Sequence, residues 1–224
     1  MTPRLRRAVL CSLAAVAVLS AVPVALASRK LRDRRYGLQP LDPLRLTEVL
    51  LEQGRGLSLA LRDLDVIGLH ATDISSVRLE IPTHTMKINL SVPHVEIVGN
   101  YEIQGKVLVV PITGKGKANI TLDGVHASYT FKHDLFRKSD GKQYIRGNEH
   151  TLRVTAAKGG AHFENLFNGD KKLGDSVNKF INENWRDVMQ EIRAPIEETI
   201  IQVVKRILTS FANVIPYDEI LLPK

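Results

Sequence analysis

The sequence predicts an α+β fold in which a highly curved antiparallel β-sheet wraps a long, kinked C-terminal helix. Between Leu57 and about Thr155 the apolar residues recur with period two, the mark of strands with one dry and one wet face. From Leu173 to Phe211 they recur every three or four residues, the mark of one apolar helical stripe. No helical pattern interrupts the strand region, so the sheet is an antiparallel meander and not a set of parallel crossovers.

Residues 1–27 hold Arg4, Arg6 and Arg7 and no acid. An apolar stretch from Ala8 to Val22, then Pro23 and Ala25-Leu26-Ala27, completes the layout of a cleaved secretory signal. An uncleaved membrane anchor is the competing interpretation, since about 20 apolar residues suffice to span a bilayer. Residues 28–35 follow as a basic arm with five bases and one acid, and Arg32-Asp33-Arg34-Arg35 has the form read by furin-type proteases. The formal charge of the chain is +7. The signal and the arm carry all of that excess, so residues 36–224 form a near-neutral single domain and a nucleic-acid partner loses its support. The single cysteine, Cys11, lies in the signal. The mature chain enters an oxidising route without disulfides.

Along the sheet, Val77, Leu79 and Ile81 alternate with Arg78 and Glu80, and Met86, Ile88, Leu90 and Val92 alternate with Lys87, Asn89 and Ser91. Ala118, Ile120 and Leu122 form a third such run, and Val125, Ala127, Tyr129 and Phe131 a fourth. Turns are expected at Gly99-Asn100, Gly114-Lys115-Gly116, Asp123-Gly124 and Asp140-Gly141. Gly114-Lys115-Gly116-Lys117 lacks the later glycines of a phosphate loop and reads as a hairpin tip. The helical period begins after Gly159-Gly160. A helix from Leu173 to Phe211 would measure about 58 Å. Pro195 is expected to kink or divide it, and Pro216 to stop its growth. A sheet covering such a helix must bend around it.

Several segments resemble one family. They are Leu41-Asp42-Pro43-Leu44, Asn165-Leu166-Phe167-Asn168-Gly169, Leu173-Gly174-Asp175, Asn182-Glu183-Asn184-Trp185 and Ile215-Pro216-Tyr217-Asp218-Glu219. In this order and spacing they resemble the takeout and haemolymph juvenile-hormone-binding proteins of arthropods, over roughly Tyr36 to Pro223. The resemblance implies the tubular lipid-binding fold and a secreted carrier of juvenile hormones, fatty acids or related terpenoid lipids. Members of that family touch feeding, circadian output and courtship. The departure is at the start: relatives usually open with a short helix bearing two disulfide-bonded cysteines, and no cysteine lies between Ser28 and Tyr36.

The sequence offers no catalytic or metal constellation. The seven histidines form neither H-E-x-x-H nor an i, i+4 pair and are expected to be isolated. G-x-S-x-G is absent. Glu197 and Glu198 point about 100° apart on a helix and make no acid–base pair. A non-catalytic protein without cofactor or metal is expected. The candidate ligand-lining residues are Trp185, Val188, Ile192, Ile196, Ile200 and Val203 from the helix. Met86, Ile88, Tyr101, Tyr129 and Phe131 join them from the strands. The competing interpretation of the stripe is a solid core, with the protein a secreted, ligandless module binding a protein or membrane surface. Asn89-Leu90-Ser91 and Asn119-Ile120-Thr121 are glycosylation sequons on the polar parity of their strands. The expected partner is a small hydrophobic ligand, and the expected state a secreted monomer with no stable membrane insertion once the signal is removed.

Overall fold

A computed structural model of the chain describes residues 42–53, 56–80, 82–212 and 216–217. The expected signal, the basic arm and most of the C-terminal motif lie outside the described residues. Six strands form one sheet: β1 (Leu44–Gln53), β2 (Leu57–Ile67), β3 (Asp73–Glu80), β4 (Thr85–Val107), β5 (Val110–Arg137) and β6 (Gln143–Phe163). Two helices follow, α1 (Lys171–Glu183) and α2 (Trp185–Ala212). Every pairing is antiparallel and the order is β1-β2-β4-β5-β6. β2 and β3 lie end to end along the same side of β4, because β2 pairs with residues 96–104 and β3 with residues 85–91.

Three expected turns are not turns. Gly99-Asn100 lies inside β4, and Gly114-Lys115-Gly116 and Asp123-Gly124 lie inside β5. Gly99 and Gly116 are there because backbone passes close to them. A Cβ on Gly99 would stand 2.9 Å from the Arg62 carbonyl oxygen, and one on Gly116 would stand 2.6 Å from that of Glu164. Asp140-Gly141 does form the β5–β6 turn. There Asp140 accepts from the Lys142 amide (2.9 Å) and the Tyr144 hydroxyl (2.6 Å), and Gly141 takes a positive φ of 78°.

Asp123-Gly124 has a different role. In β4 the buried residues Met86, Ile88 and Val92 are even-numbered, whereas Val95, Tyr101, Ile103 and Val107 are odd. In β5 they pass from Ile112 and Ala118 to Val125, Tyr129 and Phe131, and in β6 from Leu152 to Ala161 and Phe163. Thus all three strands change parity, at neighbouring positions: Pro93-His94, Asp123-Gly124 and Ala157-Lys158. At each, two successive residues face away from the core, which a regular pleat forbids. Gly124, at φ 59°, and Pro93, without an N–H to pair, accommodate the irregularity. The dry face therefore stays on one side of strands far longer than average.

The strand pattern also runs further than expected, since Gly159 and Gly160 belong to β6. The chain then turns through Phe167–Gly169 into α1, where Asp170 accepts from the Leu173 amide (3.1 Å) as an N-cap. Leu173 itself is 50% exposed and does not join the buried stripe. The division of the helix falls at Asn184 and not at Pro195. The Asn184 backbone amide and side-chain amide both donate to the Phe180 carbonyl, at 3.0 and 2.8 Å, and close α1. Pro195 sits within a continuous α2.

α2 packs against both β6 and β1, the two edges of the sheet. The sheet is therefore bent until its edges flank one helix, as the length of the apolar stripe requires. Helical side chains also satisfy free backbone groups along β6. Asn178 accepts from the Phe163 amide (2.9 Å) and donates to its carbonyl (3.0 Å), Asn182 accepts from Ala161 (2.8 Å), and Glu197 accepts from Val154 (3.0 Å). Such pairing blunts an edge that would otherwise template aggregation.

Candidate functional site

Among the described residues the apolar interior has three main parts, beside a small cluster of Ile145, Leu135 and Tyr217. At one end Leu59, Leu61, Tyr101, Ile103, Phe163 and Leu166 pack with Val177 and Ile181 of α1 and Val188 of α2. At the other, Met86, Ile88, Tyr129, Phe131 and Leu152 pack with Ile200, Ile201 and Val204 of α2. Between them Val92, Val95 and Val125 form a cluster with Val66, Leu90, Ile97, Leu122 and Val154. Among the described residues no apolar side chain of α1 or α2 packs into this middle cluster, which Leu69 of the β2–β3 connection also joins; from α2 only the Glu197 carboxylate reaches it, accepting from the Val154 amide.

The sequence-derived lining residues divide accordingly. Tyr101, Val188 and Ile192 fall at the first end. Met86, Ile88, Tyr129, Phe131 and Ile200 fall at the second. Ile196 and Val203 are half-buried and belong to neither cluster. Trp185 lies against the β6 backbone, where a Cβ on Gly159 would stand 2.0 Å from its ring. The middle cluster was missed, although Leu90, Val92, Leu122 and Val125 lie on the apolar parity and so carried a signal.

Two tyrosines of the end clusters are held by their hydroxyls. Tyr101 donates to the Glu164 carbonyl at 2.5 Å, and its ring meets Phe163 edge-on at 4.9 Å. Burial pushes its hydroxyl up to about 12. Glu164, Asn165 and Leu166 here cross β5: Asn165 donates to the Lys115 carbonyl (2.8 Å), the Glu164 amide donates to Lys117 (2.9 Å), and Leu166 pairs with Gly114. The segment Asn165–Gly169 thus seals this end of the interior over Gly114 and Gly116. Tyr129 hydrogen-bonds His150 Nδ1 (2.5 Å), and burial raises its hydroxyl too. Asp42 ties the start of the domain to the β2–β3 connection by accepting from the Gly68 and His70 amides (3.3 and 2.8 Å) and pairing with the His70 ring. Burial works to raise its carboxyl, but these contacts outweigh it and hold the group below the usual range.

The histidines are not all isolated. The His84 and His133 rings stack at 5.5 Å, Phe131 lies 6.4 Å from His133 and 5.8 Å from His150, and Tyr129 lies 5.8 Å from His150. The β4–β5–β6 register assembles this ladder. Burial lowers both His133 and His150, assisted by His84 for the first and Lys205 for the second; Asp134 and backbone contacts oppose only in part. A histidine lowered in the folded state stays neutral while its unfolded counterpart protonates. Stability is therefore full above the unfolded value of about 6.5 and is lost as pH falls through the folded value. The midpoint of urea unfolding is expected to fall between pH 7.5 and 5.5, and a His133→Phe, His150→Phe variant to lose most of that dependence. An unchanged or rising midpoint in the parent chain would contradict the burial of these rings.

Among the described residues no group of three or more His, Cys, Asp or Glu could hold a metal ion. Glu197 contacts Val154, while Glu198 accepts from Gln202 (2.7 Å), so the two carboxylates face different partners. Asn119 is exposed and donates to Glu96 (2.8 Å), and Asn89 is half-buried and donates to Ser76 (2.8 Å).

The family described as haemolymph juvenile hormone binding protein matches residues 33–222. The circadian clock-controlled protein daywake of Drosophila melanogaster is 33% identical over 141 residues, covering 61% of this chain and 54% of that protein. Its Drosophila yakuba counterpart is 31% identical over the same length and shares. The matches thus span about half the length of these relatives. A Schistocerca gregaria protein named for beta-carotene binding is 20% identical over 185 residues, covering 82% of this chain and 74% of its own. The crystal structure of Epiphyas postvittana Takeout 1 superposes with a TM-score of 0.75 at 23% identity, over 83% of this chain and 86% of that one. It shares the curved sheet and long-helix fold. With nearly its whole length matched, the chain belongs to the haemolymph juvenile hormone binding protein family.

Proposed function

We propose that the protein is a secreted, monomeric, non-catalytic carrier that holds an elongated apolar ligand between α2 and the concave face of the sheet. The ligand class is a juvenile hormone, a fatty acid or a related terpenoid lipid. The observation that carries this is the middle of the interior. Val92, Val95 and Val125 gather apolar sheet residues, and no apolar side chain of the described helix residues packs among them. Ile196, on α2 between Ile192 and Ile200, belongs to neither end cluster. An apolar chain laid there leaves water for an apolar lining, and each of its buried CH₂ groups contributes about 0.8 kcal/mol. Membership in a family named for hormone binding, and a relative named for beta-carotene binding, support the same class. Among the described residues no helix is long and apolar enough to cross a membrane. Titration of the delipidated chain with a fluorescent fatty acid is expected to give saturable binding at one ligand per chain. A folded chain that takes up none would overturn the proposal.

A further inference from the structure

The two glycosylation sequons lie outside the proposed ligand site, and the fold treats them differently. On β5, Asn119 stands between Ala118, which is 3% exposed, and Ile120, which packs against the first apolar cluster. Its own side chain is therefore on the wet face, and it is exposed. Its Nδ2 makes one hydrogen bond among the described residues, to Glu96 Oε1 at 2.8 Å. A side-chain amide nitrogen carries two hydrogens, so the second is open to substitution. Asn89 is half-buried, and β3 holds it at two points. Its Nδ2 donates to Ser76 Oγ (2.8 Å), and its carbonyl accepts from Ser75 Oγ (3.1 Å). Both contacts fall where the β3–β4 register shifts, between Ile74 and Ser76. Among the described strands β3 pairs only with β4, so a sugar on Asn89 would press on the least supported strand at its weakest point.

Resting on the secretion proposed above, we infer that the folded protein carries an N-linked glycan on Asn119 and none on Asn89. The donor is an oligosaccharide joined through pyrophosphate to a lipid, which the secretory route supplies together with its transferase. The bond from Asn119 Nδ2 to the sugar C1 forms as the C1–O bond of the donor breaks. The lipid pyrophosphate leaves with the electron pair, and one Nδ2 proton passes to a base of the transferase. The remaining Nδ2 hydrogen keeps the bond to Glu96. Thr121 supplies the hydroxyl that completes the acceptor motif. A bulky, soluble group placed there covers the wet face of the sheet and leaves the apolar interior untouched.

The test is expression of the full chain in cultured animal cells, followed by mass spectrometry of tryptic peptides from the secreted protein. Lys87 and Lys106 bracket Asn89, and Lys117 and Lys132 bracket Asn119, so the two sites fall on separate peptides. Peptide 118–132 is expected to carry the added mass of an N-acetylhexosamine-based glycan, and peptide 88–106 none. Thr121→Ala, which leaves Asn119 and its bond to Glu96 in place, abolishes the glycan, and Thr121→Ser retains it. A secreted, folded chain with Asn119 bare, or with Asn89 modified, would overturn the inference and leave the secreted carrier standing. A chain that stays in the cytosol would overturn the proposed secretion and this inference with it. The parent chain's two peptides decide the matter even where a Thr121 variant does not fold.

Discussion

Ile196→Arg abolishes uptake of a fluorescent fatty acid and leaves the unfolding transition nearly in place. The position accounts for both halves of this expectation. Ile192 packs against the first apolar cluster and Ile200 against the second. Ile196, one helical turn from each, is half-buried and packs into neither. A guanidinium there creates no hole in a packed core, so the usual cost of several kcal/mol for a lost core side chain does not apply. It does place a charge beside the apolar surface that the ligand needs, and an unpaired charge against hydrocarbon is strongly unfavourable. Circular dichroism and thermal melting report the fold, and fluorescence titration reports the binding. A folded variant with unaltered uptake would move the ligand away from α2. Ile201→Arg, at a position 9% exposed in the second cluster, is the contrasting change: there the fold itself is lost.

The second large effect is on stability. Gly159→Val is expected to cost about 3 kcal/mol, at the upper end of typical overpacking, and to lower the melting temperature by about 6–12 °C in a chain of this size. A Cβ at Gly159 would stand 2.0 Å from two atoms of the Trp185 ring. The ring cannot retreat freely, because it opens α2 directly after the Asn184 break that closes α1. Trp185→Ala removes the obstacle. In a double-mutant cycle the penalty of Gly159→Val is therefore expected to shrink markedly in the Trp185→Ala background. Additive effects of the two substitutions would show that the indole does not lean on β6.

The same residues show what the sequence makes legible. Alternation announced the sheet, and three-and-four spacing announced the helices, because both periods follow from local geometry. The parity change from Ala118, Ile120 and Leu122 to Val125, Ala127 and Tyr129 was also on view. Asp-Gly nevertheless reads as a hairpin in isolation, and only the matching irregularities at Pro93-His94 and Ala157-Lys158 show it to be a continuous strand. Gly114 and Gly116 misled for a related reason. What requires them is the passage of Glu164–Leu166 across β5, a contact between residues fifty positions apart in the chain. Pro195 attracted the helix break because its missing N–H is a local fact. The actual break depends on Asn184 and on Trp185 meeting a strand.

The candidate site divides in the same way. The helical and strand lining residues were read from their apolar faces. The division of the interior into end clusters and a middle cluster without apolar helical partners is a property of packing, which no period encodes. The ladder of His84, His133 and His150 is likewise assembled by the pairing register of β4, β5 and β6, so three histidines far apart in sequence share one end of the interior.

Native mass spectrometry of the protein purified from culture medium, without delipidation, tests the central claim most directly. The account predicts a chain beginning at Ser28 or Tyr36 that carries one apolar molecule, released on collisional activation. A folded chain recovered bare, and unable to take up added lipid, would contradict it.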